Sequence, residues 1–502
     1  MAKRKRDAGA TGIEAEGGLV RNVVQPDLTT IQIVTGTYER VLHGFTVTIP
    51  ATEDRPAQES KESKEDQGKR RKKKKKKQNQ EKEESKDEKD GKDEQPQWTD
   101  TFLFQAHASA IRCLGISPPS GQSPQRRMLA SGGTDERINL YTLSAHSPPP
   151  RGDDPPTGNR TRENPQNREL GSLLHHAASI SALSFVSRYK LLAAAEDNVI
   201  SVTRTRDGTV MSTIRAPRPK VQGRPSGDTA PLGGSPAGIN DVAVHPSQKL
   251  MLSVGKGERC MRLWNLVTGK KAGVLNFSPD LLRSVTEGKR GTGEGRRIAW
   301  SPPGDEFVVA FEWGAVVFGT DAIPKCKLVP TPRSKLHRVQ YLDVSDSPDR
   351  TEIVLALSTD DGRLIFYSTS PRTDGADLES TIPDAPVRAQ LGGPPSGLSG
   401  RVKDFAVLNL TATPAGKENL ALVTGSSDGA VRLWRVRRDE LSRPSKISPP
   451  RQVGKLLATY ETGHRITCLV AFVMQPPLLD TSAGEEGREA AEREESEESE
   501  EE

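Results

Sequence analysis

Three residues of this chain have the types that base catalysis uses. They are His107, Ser131 and Asp135, and they fall within about thirty residues of one another. A histidine set between a hydroxyl and a carboxylate can take a proton from the first while the second orients its ring. The surroundings point to another duty. Ser131 lies in ASGGTDERINLYTL, Ala130 to Leu143, and no Gly-x-Ser-x-Gly elbow presents it. A buried, charge-assisted hydrogen bond is worth roughly 1.5–3 kcal/mol, so the same three groups can fasten strands together. The rest of the search for chemistry returns little. GKGERC and GTGEGR are glycine-rich but lack a Walker lysine and a strand–loop–helix setting, so both read as turns. Cys113, Cys260, Cys326 and Cys468 are far apart, and none has the spacing of a metal ligand set. No carboxylate pair stands out from turn acids such as Glu39, Glu136 and Asp360. No catalytic residue, cofactor or metal ligand is assigned, and the chain is not expected to be an enzyme.

The elements that would hold these residues recur. VTGSSDGAVRLWRV, Val423 to Val436, aligns without a gap on VTGTYERVLHGFTV, Val34 to Val47. Gly36 falls on Gly425, Glu39 on Asp428 and Phe45 on Trp434. The segment from Ala130 is a third copy, and SVGKGERCMRLWNL from Ser253 and ALSTDDGRLIFYST from Ala356 are weaker ones. A small-residue strand, a tight acidic turn and an alternating strand ending in an aromatic form the WD-repeat signature, and repetition at this scale predicts a β-propeller. In such repeats the turn Asp accepts a hydrogen bond from a His ahead of the first strand. A Ser or Thr on the second strand links that His to the aromatic on the third. His107, Ser131, Asp135 and Tyr141 match these positions, as do Thr424, Asp428 and Trp434 in the C-terminal copy.

First-strand signals start near Ala110, Ser179, Ile239, Arg297, His337, Arg401 and Arg465, which predicts seven blades. The last, ITCLVAF, has no second or third strand after it, and the first copy has no first strand before it. One blade is therefore expected to combine both ends of the chain, which removes exposed sheet edges. The fourth blade, FVVAFEWGAVVFGT, lacks a turn Asp and rests on position and alternation alone. The expected fold is all-β: one seven-bladed propeller over 30–49 and 98–475, with a basic segment at 1–29, a Lys/Glu-rich insertion at 50–97 and an acidic tail at 476–502.

Of 502 residues only 33% are hydrophobic, with 45 Gly and 37 Pro, an average that leans toward disorder. Insertions dilute it: 51–97, 144–168, 216–236, 281–296, 371–400 and 439–451 all fall between repeat elements. No apolar run has membrane length and no secretory leader is visible, so a reducing, intracellular setting and no membrane partner are expected. The insertion at 50–97 holds Lys69, Arg70, Arg71, Lys72, Lys73, Lys74, Lys75, Lys76 and Lys77 in one run. That run reads as a nuclear import signal and as a contact for an RNA backbone, opposed by the adjoining EKEESKDEKD. The tail EEGREAAEREESEESEEE suits basic partners or screening of the lysines.

The chain resembles the PAK-interacting WD-repeat proteins, a family that includes a fungal Mak-type factor assisting large ribosomal subunit assembly. The resemblance is carried by GTYERVLHGFTV, LLHHAASISALSF, AAEDNVISV, VAVHPSQKLMLSVGKGERCMRLWNLVTGK, IAWSPPGDEFVVAF, SGRVKDFAVLNL and GSSDGAVRLWRV followed by HRITCLVAF, spanning about Ile31 to Phe472. The lysine block inside the closing blade departs from the family, where such runs are associated mainly with the C-terminus. The resemblance implies a non-enzymatic, nuclear or nucleolar scaffold in maturation of pre-60S particles. Its implied partners are ribosome-assembly factors, among them a ribosomal-protein-like one, with rRNA contact through the basic insertion. The alternative it implies is a negative regulator that binds a p21-activated kinase. A third class, a substrate-recognition propeller of another complex, would usually carry an F-box or helical dimerisation segment, and neither is visible.

Overall fold

The computed structural model describes residues 29–49, 96–119, 125–147, 161–217, 238–288, 291–345, 352–370, 382–398, 400–410, 419–442 and 450–476. The lysine run Lys69–Lys77, the acidic tail and the basic N-terminal segment lie outside them. The described chain forms seven antiparallel four-stranded sheets in a ring, a seven-bladed β-propeller. First strands are Ile111–Ile116, Ile180–Ser187, Ile239–Val244, Arg297–Trp300, Leu336–Asp343, Val402–Asn409 and Ile466–Val473 for blades one to seven. Blade seven takes its first strand from the C-terminal end and its other three from Thr29–Thr37, Val41–Ile49 and Gln97–Gln105. Ile31 to Gly36 face Val473 to Cys468 in unbroken antiparallel register.

Alternation along the strands explains why inner strands are apolar at nearly every position. A blade packs against a neighbour on each face, so both pleat faces are buried. Ile31, Ile33, Phe45 and Val47 pack on Val423 and Leu433 of blade six. Val34 and Leu42 point the other way, onto Ile111 and Leu129 of blade one. The core is accordingly seven slabs, one per seam.

Polar groups near the channel stitch the same seams. Arg112 donates to Glu196 at 2.7 Å, Gly238 N to Asn198 at 2.8 Å, and Ile298 N to Asp241 at 3.1 Å. Arg297 donates to the His337 carbonyl at 3.0 Å, and Arg338 lies 3.4 Å from Asp404. Asp404 accepts from Leu469 N at 3.0 Å, and the Thr467 hydroxyl donates to Ile111 O at 2.7 Å. That last bond joins blade seven to blade one.

Some stretches read as insertions hold structure. Residues 371–400 contain Val387–Gly392, the fourth strand of blade five, 281–296 continue a short helix, Pro279–Ser284, and 439–451 continue another, Arg438–Ser442. Each is six residues or shorter, too brief to carry a legible apolar period. Among the described residues no helix is long and apolar enough to cross a membrane.

Candidate functional site

The histidine–acid pairs gather at one end of the ring, where the turn between second and third strands meets the segment entering the first. In blade one His107 Nδ1 lies 2.9 Å and 3.1 Å from the Asp135 oxygens, and Nε2 lies 2.8 Å from Ser131 Oγ. Facing a carboxylate, which can only accept, Nδ1 is the donor to Asp135. Asp135 also accepts from Ala108 N at 2.9 Å. Burial alone would push the Asp135 carboxyl up, but the Ala108 amide and the His107 ring hold it below its ordinary value. Tyr141 is buried beside this group, and burial raises its phenol. Gly133 is required here, since a Cβ would collide with the Asp135 carboxylate and the His107 ring.

The other blades vary the same joint. Trp434 Nε1 donates to Thr424 Oγ1 at 3.2 Å, the indole–hydroxyl link expected from the repeat. No histidine stands before that strand. Asp428 instead accepts from Ala430 N at 3.0 Å and from Arg432 at 3.1 Å. In blade three Trp264 donates to Ser253 at 2.8 Å, and Glu258 pairs with Arg262. In blade five His337 lies 2.8 Å from Asp360, which also draws Arg401 to 3.3 Å. Blade four lacks the turn Asp, and its turn Glu312 pairs instead with Lys335 at 2.8 Å and Arg296 at 3.2 Å. Glu287 reaches back and accepts from Glu312 N at 2.8 Å and Trp313 N at 3.1 Å.

Blade two uses two histidines. His176 lies 3.1 Å from Asp197 and 2.8 Å from Ser201, while His175 lies 2.9 Å from the same hydroxyl. Ser201 sits on the third strand, opposite Ala193, so its hydroxyl comes from across the sheet relative to Ser131. Burial, then the neighbouring His176, hold His175 below its ordinary value. The unfolded chain therefore binds a proton that the folded ring refuses. Stability from this source is full above about pH 6.5 and is lost as pH falls toward the folded value. The melting midpoint should drop between pH 7 and pH 5, and His175→Asn should flatten that slope. Equal slopes in both proteins would assign the loss to other groups.

One polar cluster was not read from the sequence. His43 Nε2 lies 2.7 Å from Asp100, and Tyr460 of blade six donates to the same carboxylate at 2.5 Å. Phe45 stacks on Tyr460 at 4.7 Å, and Trp98 lies 5.2 Å from it. The three polar residues are too far apart in sequence for any spacing to join them.

What these groups can do chemically is limited. Among the described residues His107, His176, His337 and His43 each lie against an acid of their own blade, and His175 lies against the Ser201 hydroxyl. Burial pushes the Cys113 and Cys326 thiols up to about 12, which keeps them as unreactive thiols. Among the described residues no group of three or more His, Cys, Asp or Glu could hold a metal ion.

No protein-family model matches the chain. It is 23% identical over 382 residues to a p21-activated protein kinase-interacting protein 1-like protein of Xenopus laevis, covering 76% of this chain and 77% of that one. Protein MAK11 of Saccharomyces cerevisiae is 25% identical over 393 residues, covering 74% and 75%. Shk1 kinase-binding protein 15 of Schizosaccharomyces pombe is 28% identical over 185 residues, covering 37% and 40%.

Proposed function

We propose that this chain, a member of the family of p21-activated-kinase-interacting WD-repeat proteins to which MAK11 belongs, is a non-enzymatic scaffold or escort in ribosome biogenesis. It would assist maturation of the pre-60S large subunit in the nucleolus. The observation that carries the reading is the alignment with MAK11 across three quarters of both chains. A stiff ring supports it physically, because side chains fixed on strands lose little entropy when a partner docks. The partners are pre-60S particles and their assembly factors, including a ribosomal-protein-like one. Residues 69–77 supply nuclear import and a tether toward rRNA.

The test is sedimentation of tagged protein from a native lysate with and without RNase. Co-migration with large-subunit precursors, lost on RNase treatment, is the expected result. Slow migration in both conditions would remove the assembly role. Deleting Lys69–Lys77 should leave the melting midpoint in place and reduce nuclear accumulation. Unaltered localisation would move import to the N-terminal KRKR.

A second reading has its own support. Relatives from frog and fission yeast are named for binding p21-activated or Shk1 kinases. In that reading the ring is a negative regulator of such a kinase, and affinity capture of the kinase by a slowly sedimenting pool would favour it.

A further inference from the structure

Strand direction alternates within each blade, so the turns joining first to second and third to fourth strands lie at the end opposite the histidine–acid pairs. In blade two those turns are Ser187 to Lys190 and Thr203 to Thr209, carrying Arg188, Lys190, Arg204 and Arg206. In blade three they are His245 to Lys249 and Asn265 to Lys270, carrying Lys249 and Lys270, with Lys271 next in the strand. The four turns hold one carboxylate, Asp207, 3.5 Å from Arg204. Arg188 is half-buried and the other six cations are exposed.

The neighbouring blade is built oppositely. The same turns of blade four carry Asp305, Glu306 and Asp321, and the lysine there, Lys325, lies 3.1 Å from Glu306. Basic charge at this end is therefore bounded on the blade-four side. Tyr189 lies inside the basic sector, 39% exposed, with the Arg188 guanidinium 5.7 Å over its ring. Cations that follow a backbone, with an aromatic face among them for a base to stack on, are what single-stranded nucleic acid requires.

The geometry points to a single-stranded RNA-binding surface on the turns of blades two and three, separate from the lysine insertion. Phosphates lie along Lys190, Arg204, Lys249, Lys270 and Lys271, and one base stacks on Tyr189. The insertion containing Lys69–Lys77 leaves blade seven after Ile49 and returns at Gln97, at this same end of the ring. The inference extends the assembly reading and is tested on purified chain, so either can fail without the other.

The experiment is fluorescence anisotropy with a labelled 20-nucleotide oligo(U) RNA, full-length chain and a salt series. Each phosphate contact to a single strand contributes about 0.7 to the slope of log affinity against log salt. Lys190→Glu, Lys249→Glu, Lys270→Glu and Lys271→Glu together should weaken binding at least tenfold and reduce that slope by about 3. All four are exposed, and an unchanged melting midpoint verifies the fold. Tyr189→Ala should weaken binding several-fold with the slope unchanged. Binding that ignores the fourfold variant and vanishes on deletion of Lys69–Lys77 would overturn the inference. So would a chain lacking 485–502 that fails to bind the RNA, since the acidic tail could then not be the competitor masking the site.

Discussion

Ending the chain at Gly463, ahead of the closing strand, should abolish the cooperative thermal transition. The strand Ile466–Val473 buries Ile466, Cys468, Leu469 and Phe472 to within 5% of full burial. At roughly 1.5–3 kcal/mol for each large apolar side chain, this alone approaches the 5–15 kcal/mol that separates a typical folded domain from its unfolded chain. The loss does not stop there. Asp404 would lose the Leu469 amide, and Ile31–Thr37 would become an unpaired edge beside an open seam. Calorimetry and size exclusion decide the matter. A truncated chain that melts within a degree or two of the full one would mean that this strand does not close the ring.

Asp135→Ala should cost about 2–3 kcal/mol. The carboxylate accepts from His107 and Ala108 N, and its partner ring has no solvent exposure with which to replace the bond. The His107 N–H would be left buried and unpaired, which is the expensive case. Asp135→Asn retains an oxygen for the Ala108 amide and should lose less. The sign of the pH dependence follows from the depressed carboxyl. Its contribution is full above the ordinary aspartate value near 4 and is lost as pH falls through the lower folded value, and the Ala variant should lack that loss. An unchanged melting midpoint for Asp135→Ala would remove these residues from the set that holds the blade.

The seven blades were legible because their apolar periodicity is local. Seven first strands and the shared closing blade can be counted from residues within a single repeat. Blade four was legible as a strand pattern but not as a joint, since Glu287 stands outside the repeat whose turn it caps. Ser201 was invisible for a related reason: its hydroxyl does the work of Ser131 from the opposite strand, and only register reveals that. His43, Asp100 and Tyr460 were unreadable because a seam brings together residues from both ends of the chain. Sequence patterns report what one blade needs, whereas partner surfaces and seams depend on neighbours fixed only by the ring.

The shared closing blade also sets a clock during synthesis. Its three N-terminal strands are complete at Gln105, but their partner begins at Ile466, about 360 residues later. At about 5–20 residues per second the edge of Ile31–Thr37 waits roughly 20–70 s for its own strand. Every ribosome on one message holds an identical waiting edge, close to the next. The stretch that follows Ile49 in sequence is dense in charge of both signs and close to neutral overall, so like-charge repulsion does little to keep these edges from pairing between nascent chains. Spacing of ribosomes along the message thus becomes a determinant of how much ring is made.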